Sequence, residues 1–233
     1  MKKLFMAMCT AVLTAVVSMS VTSCSLGDNE DVDNFSFEYQ MDYGTIPTVK
    51  CEEMLDTLSL PKSITTSKRI IEKEVPFMIR DFQITAFEVP HDSTDSVGYF
   101  IEYGAHRFTF ATDVGHITDT VGKYICKANH LILEANYDEE MLRFGSYPPF
   151  LKERVASPTG HLSNREAAEF IATHYTPDLK DIWLCHLSRD NNHPELAYKT
   201  LDIRFFEEGI RVGKDVTLTP LKRTTPSELY EFE

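Results

Sequence analysis

The chain has 233 residues, of which 42% are hydrophobic and 25% charged, a composition typical of globular proteins and too apolar for a disordered chain. Its formal net charge of -13 at pH 7 argues against a general affinity for nucleic acid, although a local basic groove remains compatible with it. The length allows one ordinary domain, or one domain with a tail.

The first 23 residues form a predicted export signal. Lys2 and Lys3 precede an uncharged, mostly apolar run, and small residues then lead to Cys24. The apolar run is near the lower length limit for a membrane span, and Ser and Thr dilute it. This ending resembles a bacterial lipoprotein signal. The resemblance implies that Cys24 carries lipid and that the protein is exported and attached to a membrane.

Residues 24–50 are predicted to form an acidic leader or tether. The carboxylates between residues 28 and 33 are typical of flexible, solvated chain, and they also resemble the start of surface-exported lipoproteins. Alternating aromatic and polar residues over 35–41 predict one edge strand. Residues 51–233 are then predicted to form one continuous domain, because no internal repeat or low-complexity block interrupts them.

The domain alternates predicted strands with predicted helices. One helix covers 138–144 and ends at Gly145, the next is opened by Pro148-Pro149, and a third is capped by Ser163 with Glu166. This alternation predicts an α/β fold, a layered sandwich with a mixed β-sheet flanked by helices. The predicted strands are 82–89, 97–103, 107–112, 130–135, 181–185, 201–206 and 216–218.

The cysteines beyond the signal predict thiols rather than disulfides. Cys51, Cys126 and Cys185 are odd in number and widely spaced, so they form no disulfide framework and no Cys-x-x-Cys pair. Cys126 and Cys185 lie in apolar, periodic segments, and both are predicted to be core thiols.

Polar side chains follow the predicted strands of the sheet. Asp113, Glu134 and His186 lie at, or just beyond, the carboxyl end of a strand, and His91 also follows a strand. Because ligand crevices form at this end of α/β sheets, these side chains could meet at one rim. Imidazole and carboxylate are suitable ligands for zinc or manganese. Local spacing alone is also compatible with ordinary surface or hydrogen-bonded histidines.

Several segments in a fixed order carry a family resemblance. His91-Asp92 leads into a Gly-Tyr strand, Thr112-Asp113 is followed by Gly115, and the Gly160-His-Leu-Ser-Asn and His186-Leu-Ser-Arg-Asp-Asn-Asn segments come later. Together with Leu133-Glu-Ala-Asn-Tyr-Asp they resemble the metallo-β-lactamase superfamily, in particular its YycJ/VicX (WalJ) branch. The resemblance covers roughly residues 51–233.

The resemblance implies a metal-dependent phosphodiesterase with exonuclease-like chemistry on nucleic acid or another phosphodiester. His91 would bind one Zn or Mn ion, His186 the other, and Asp113 would bridge them and take part in catalysis. His161 would donate a proton or contact phosphate, at a helix start whose free N–H groups favour an anion. Glu134 is equally compatible with a ligand and with a paired structural carboxylate.

Four asparagines are the predicted substrate-binding residues. The resemblance implies that their amides orient substrate phosphates or support the ligands. They are Asn136, Asn164, Asn191 and Asn192.

The sequence departs from the family pattern upstream. No histidine precedes His91, so the His-x-His-x-Asp-His motif of the superfamily, with four further ligands, is absent from this sequence. We therefore expect weakened metal binding and impaired activity of the chain alone. We also expect an uncovered sheet edge and apolar face, which a partner chain or a second copy would cover.

Three interpretations remain open from the sequence. The chain is a hydrolase that another chain completes, or a non-catalytic lipid-anchored remnant with a binding role or no independent role. Alternatively, it is a fusion of a lipoprotein start with the back half of another gene, which the change in character near residue 50 fits. In that last case we expect a cytoplasmic protein.

Overall fold

The computed structural model describes residues 4–7, 71–93, 95–223, 227 and 229–232 of the chain. Apart from a strand over 4–7, the predicted signal lies outside the described residues, and so do Cys24, the acidic leader, the strand predicted over 35–41, and Cys51. None of the helices in the described part is long and apolar enough to cross a membrane.

The strands of the described ranges form two sheets. A seven-stranded sheet has the order β2-β3-β4-β5-β6-β7-β8, and β1 pairs with β9 in a separate antiparallel ribbon. The strands are β1 (Leu4–Ala7), β2 (Phe77–Ile79), β3 (Phe82–Glu88), β4 (Val97–Tyr103), β5 (His106–Ala111), β6 (His130–Glu134), β7 (Asp181–Cys185), β8 (Thr217–Pro220) and β9 (Leu229–Phe232).

The large sheet is antiparallel in its first half and parallel in its second. β2 to β5 pair antiparallel, and a turn at Gly104 and Ala105 joins β4 to β5. From β5 to β8 every pairing is parallel, so each connection crosses over through a helix. The carboxyl ends of β5, β6, β7 and β8 therefore lie along one edge of the sheet, where side chains that follow different strands can form one site.

The helices that connect these strands are α1 (Asp119–Lys127), α2 (Glu139–Phe144), α3 (Pro149–Val155), α4 (Asn164–Thr173) and α5 (Pro194–Glu207). Asp138 caps α2, and a reciprocal Ser163–Glu166 capping box opens α4, which confirms both predicted starts. α1 has no counterpart among the predicted elements.

The sheet buries side chains on both faces because successive residues of a strand point to opposite sides. On one face Leu131, Leu133 and Leu184 pack with apolar residues of α1, α4 and α5. On the other face Ile132 and Trp183 belong to a second cluster, against which Tyr230 and Phe232 of β9 pack. The apolar face opposite the helices is therefore covered at Trp183, which is 1% exposed.

Two sequence predictions are wrong. The strand predicted over 201–206 lies inside α5, whose apolar residues occupy both the buried face (Leu201, Phe205) and the exposed face (Ile203, Phe206), so that they mimic a strand pattern. Cys126 is exposed on α1 rather than buried in the core, whereas Cys185 is buried as predicted.

Candidate metal centre

Five ionisable side chains converge at the carboxyl edge of the parallel strands. Asp113 follows β5, Glu134 ends β6, His186 follows β7, His91 follows β3, and His161 precedes α4. All five are largely withdrawn from solvent, and the side chains of His91, Asp113 and Glu134 are fully buried. Desolvated ionisable groups in such a cluster are typical of a functional site.

The distances place Asp113 at the middle of three histidines. Its Oδ1 lies 3.6 Å from Nε2 of His91, 3.8 Å from Nδ1 of His186 and 4.0 Å from Nδ1 of His161. Two ligand atoms bound at about 2.1 Å to one tetrahedral ion lie about 3.4 Å apart. The Asp113–His91 separation is close to that value, so the pair could hold one divalent ion after a small adjustment.

Glu134 lies behind the two partly exposed histidines and holds both of them. Its Oε1 accepts from Nδ1 of His186 at 2.6 Å and from Nδ1 of His161 at 2.8 Å, and its Oε2 accepts from the Val114 backbone N–H at 2.6 Å. Because Nδ1 of both rings faces Glu134, Nε2 is the nitrogen of each ring that is left for a metal ion or a substrate. A carboxylate behind a histidine is the usual device for orienting a metal ligand.

Two groups of side chains could hold a metal ion in the described part of the chain: His91 with Asp113 and His161, and Glu134 with His161 and His186. His161, which the resemblance assigned to proton donation or phosphate contact, belongs to both. The donor types, imidazole nitrogen and carboxylate oxygen, suit zinc or manganese. The residues present therefore fit a divalent ion next to Asp113.

The backbone is strained at two of these residues. Asp113 has a φ of 53° and His186 a φ of 54°, both in the left-handed region that side-chain-bearing residues rarely adopt. Such conformations cost of order 1–3 kcal/mol each and persist where the surroundings fix them, most often at functional sites. Here the strain turns both side chains toward the common centre as the chain leaves β5 and β7.

The charges of the cluster are strongly coupled. Burial alone would lower the pKa of His186, but the Asp113 and Glu134 carboxylates outweigh it and raise that pKa to about 9. Burial alone would raise the pKa of Glu134, but the two histidines lower it to about 2. For Asp113 burial prevails, and its pKa is raised. Glu134 is thus the anionic partner of the histidines, and Asp113 is the carboxyl group whose ionised form a further cation would stabilise most.

A hydrogen bond and an ion pair fix the position of the loop that carries His161. Nδ1 of His91 donates to the Gly160 carbonyl at 2.9 Å, and Arg154 forms a two-point ion pair with Asp92 at 2.6 and 3.1 Å. A Cβ at Gly160 would lie 2.2 Å from the Arg154 carbonyl oxygen, so only glycine permits this close approach. The loop therefore fixes His91 as well as His161.

The helix start behind His161 is less available to an anion than predicted. The N–H of Asn164 donates to the Tyr137 carbonyl, that of Glu166 to Ser163 Oγ, and that of Ser163 to the Glu166 carboxylate. The prediction of free N–H groups is therefore wrong for these three positions, because the capping box and a neighbouring loop occupy them.

Three of the four predicted asparagines hold loops together. Asn136 Nδ2 donates to the His186 carbonyl at 2.9 Å. Asn164 and Asn192 exchange amide hydrogen bonds of 3.0 and 2.8 Å, and Asn192 also donates to the carbonyl oxygens of Ala135 and Asn136. These bonds tie the chain after β6 to the loop after β7 and to the start of α4, and so support the neighbouring residues of the metal centre.

Asn191 differs from the other three. It is 1% exposed, and neither its amide nitrogen nor its amide oxygen has a hydrogen-bond partner among the described residues. The side chain lies against Gly145, where an added Cβ would come within 2.7 Å of the amide oxygen. The structure thus places Asn191 beneath the end of α2, in the same loop as His186 but packed away from solvent.

Several known proteins are similar to this chain in sequence. A sequence profile described as a β-lactamase superfamily domain matches residues 43–180. The exodeoxyribonuclease YycJ of Bacillus anthracis is 37% identical over 134 residues, which cover 58% of this chain and 51% of that protein. The exodeoxyribonuclease WalJ of Streptococcus pneumoniae is 32% identical over 181 residues, covering 78% of this chain and 67% of that protein. The match to the first of these relatives thus spans about half of its length.

Among solved structures, the metallo-β-lactamase fold protein YhfI of Bacillus subtilis superposes with a TM-score of 0.50 at 16% identity. The superposition covers 70% of this chain and 55% of that one. At this identity the likeness concerns the fold alone.

Proposed function

Because the chain belongs to the metallo-β-lactamase superfamily and is similar to proteins named exodeoxyribonucleases, we propose that it hydrolyses phosphodiester bonds of DNA with the help of a divalent metal. The observation that carries the proposal is the convergence of three histidines on the buried Asp113 carboxylate, whose Oδ1 lies 3.6–4.0 Å from a ring nitrogen of each.

Asp113 would hold the ion together with His91 on one side and His186 on the other. A bound Zn or Mn ion would supply a Lewis acid that activates water and polarises a phosphoryl oxygen. Glu134 would keep the rings of His161 and His186 in place through their Nδ1 atoms, which leaves both Nε2 atoms for the metal ion or the substrate. The loops around the site are already hydrogen-bonded to each other, so these residues do not have to rearrange when substrate binds.

We propose that His161 moves a proton. Its Nδ1 is held by Glu134 at 2.8 Å, and the ring lies 5.1 Å, centroid to centroid, from both His91 and His186. A histidine backed by a carboxylate can donate a proton from Nε2 to a leaving oxygen and return to its neutral form. We assign this step to His161 rather than a permanent ligand role, because His91 and His186 bracket Asp113 without it.

The test measures nucleotide release from end-labelled single-stranded and double-stranded DNA by the purified full chain with Mn²⁺ or Zn²⁺. We expect metal-dependent release that is abolished by chelation and reduced at least about 100-fold in Asp113→Asn. Glu140→Gln, an exposed carboxylate on α2, is the matched control and should retain wild-type activity. Release that persists unchanged in Asp113→Asn, or no release under any of these conditions, would contradict the proposal and favour a non-catalytic role.

Zn or Mn as the resident ion, attachment to a membrane through lipid at Cys24, and a partner chain remain proposals beside this one. Growth with a lipid precursor that labels Cys24, compared with Cys24→Ser, tests the second. Loss of labelling and of membrane retention in the variant is the expected result, and retention without Cys24 would argue against it.

A further inference from the structure

The metal centre opens to solvent at its His186 side. The side chains of His91, Asp113 and Glu134 are 0% exposed, that of His161 is 11% exposed and that of His186 is 19% exposed. A polymeric substrate is too large to enter a closed cavity, so its backbone has to approach across the surface next to His186. The chemistry of that surface decides which substrates can bind.

The chain that continues from β8 forms part of this surface. Pro220 pairs with Leu184 of β7, and the Leu221 N–H donates to the Leu184 carbonyl at 2.7 Å. Adjacent strands lie about 4.8 Å apart, so the residues after Leu221 run alongside the carboxyl end of β7, where His186 follows. The next two residues are Lys222 and Arg223, and both are exposed.

The electrostatics of the site agree with this position of Arg223. Burial raises the pKa of Tyr147, and the Asp113 and Glu134 carboxylates raise that of His186 against its burial, whereas the positive charge of Arg223 acts in the lowering direction on both. Tyr147 lies in the turn between α2 and α3, and its hydroxyl donates to Asp190 at 3.4 Å. Arg223 therefore lies within electrostatic range of two separate elements that border the metal centre.

The two cations are available to a ligand. Arg154, Arg204 and Arg211 each pair with a carboxylate. In the described part of the chain, by contrast, no carboxylate lies within the 4 Å ion-pair distance of Lys222 or Arg223. Asp190, in the loop after His186, accepts a hydrogen bond from Tyr147. Among the described residues, Lys222 and Arg223 are thus an exposed basic pair without a carboxylate partner beside the end of β7.

We propose that Lys222 and Arg223 bind backbone phosphates of a nucleic acid strand next to the bond cleaved at the metal centre. The inference rests on the proposed function and deepens it by naming the residues that recognise the polymer. Arginine binds phosphate through two parallel N–H groups, and lysine binds it as a point charge. Contacts of this kind fix the position of the strand and carry no base specificity. The local basic surface also reconciles an acidic protein with a polyanionic substrate.

The experiment measures the affinity of the full chain for a fluorescein-labelled single-stranded oligodeoxynucleotide by fluorescence anisotropy, with Mn²⁺ present and absent, over a range of salt concentrations. For Lys222→Gln/Arg223→Gln we expect affinity to fall about 10-fold or more at low salt. We also expect the slope of log K against log salt to become shallower by about 1.4, that is, about 0.7 for each lost phosphate contact.

The matched control is Arg211→Gln/Lys214→Gln, which removes the same charge from the turn that precedes β8, at the opposite end of the strand. This variant should bind like the wild type. Equal losses in both double variants would overturn the proposal, because they would show an effect of net charge alone. Wild-type affinity and salt slope in Lys222→Gln/Arg223→Gln, or no measurable binding by the wild-type chain, would also overturn it.

Hydrolysis of a small chromogenic phosphodiester by the wild-type chain separates this inference from the proposed function. If the small ester is cleaved but the two double variants bind the oligonucleotide equally, the inference fails and the function stands. If the ester is not cleaved but the specific loss of binding is seen, the function fails and only phosphate binding by Lys222 and Arg223 stands.

Discussion

Glu134→Gln perturbs the residue on which the arrangement of the metal centre depends. The carboxylate is fully buried and accepts three short hydrogen bonds, from His161, His186 and the Val114 backbone. Glutamine keeps the shape but replaces one oxygen by an amide that can only donate. Whichever way the amide is oriented, either the Val114 N–H or the two Nδ1–H groups face a donor.

The magnitude follows from these contacts. A hydrogen bond to a charged group contributes about 1.5–3 kcal/mol, and removing one partner of a buried ion pair costs about 3–5 kcal/mol. The two histidine rings can relax when the carboxylate is removed, so we expect the free energy of unfolding of the metal-free protein to fall by about 2–4 kcal/mol. With a urea dependence of about 2 kcal/mol per molar, the unfolding midpoint should fall by about 1–2 M. Metal affinity should fall about 10–100-fold, as it does when the hydrogen-bond partner of a ligand is removed.

Urea unfolding at pH 7 and zinc competition with a chelator measure the two effects, and Glu140→Gln serves as the exposed control on α2. ¹⁵N NMR of the histidine rings gives a readout that a purely structural role would not move, because the Nδ1–H form of both rings should be lost in the variant. The reasoning is refuted if Glu134→Gln stays within about 0.5 kcal/mol of the wild type, keeps its metal affinity and leaves the ring protonation unchanged.

The remaining predictions concern pH and packing. Because the pKa of His186 is raised to about 9, its contribution to the stability of the metal-free protein is complete below about pH 6.5 and is lost as pH rises through 9. His186→Gln should reduce the difference in the free energy of unfolding between pH 6 and pH 9, measured by urea unfolding, by at most about 3 kcal/mol. A variant whose free energy of unfolding changes with pH as much as that of the wild type would contradict this prediction. Gly160→Ala should lower the free energy of unfolding by about 2 kcal/mol or more, because its Cβ meets the Arg154 carbonyl at 2.2 Å; an unchanged thermal transition would contradict so close an approach of the two backbones.

The sequence was most informative where one physical rule acted alone. The strands predicted over 82–89, 97–103 and 181–185 correspond to β3, β4 and β7, and the capping box identified the start of α4. The rule that crevices form at the carboxyl ends of parallel strands indicated that Asp113, Glu134 and His186 share an edge, and the structure brings them together. The catalytic and ligand roles of these residues remain predictions.

Sequence reasoning failed where two partners distant in the chain decide the outcome. The residues of α5 read as a strand because Ile203 and Phe206 are apolar yet exposed, and only the packing of Leu201 and Phe205 on the sheet selects the helix. Glu134 remained ambiguous because its role depends on two histidines 27 and 52 residues away. The one available signal was a glutamate inside a segment that is otherwise wholly apolar.

The role proposed for the two basic residues after β8 could not be predicted from the sequence either. Lys222 and Arg223 are two ordinary cations in the sequence, and only the parallel pairing of β8 with β7 brings them beside His186. Similarly, the asparagines after β6 and β7 read as substrate contacts. The structure instead bonds Asn164 to Asn192, an arrangement that spacing along the chain does not reveal.

Calorimetric titration of Zn²⁺ into the metal-free full chain and into Asp113→Asn tests the central claim most directly. We predict that the wild-type chain binds zinc and that Asp113→Asn weakens this binding at least about 100-fold. The reason is that the Asp113 carboxylate lies next to all three histidines. Equal affinity of the two proteins for zinc would contradict a metal centre built on Asp113.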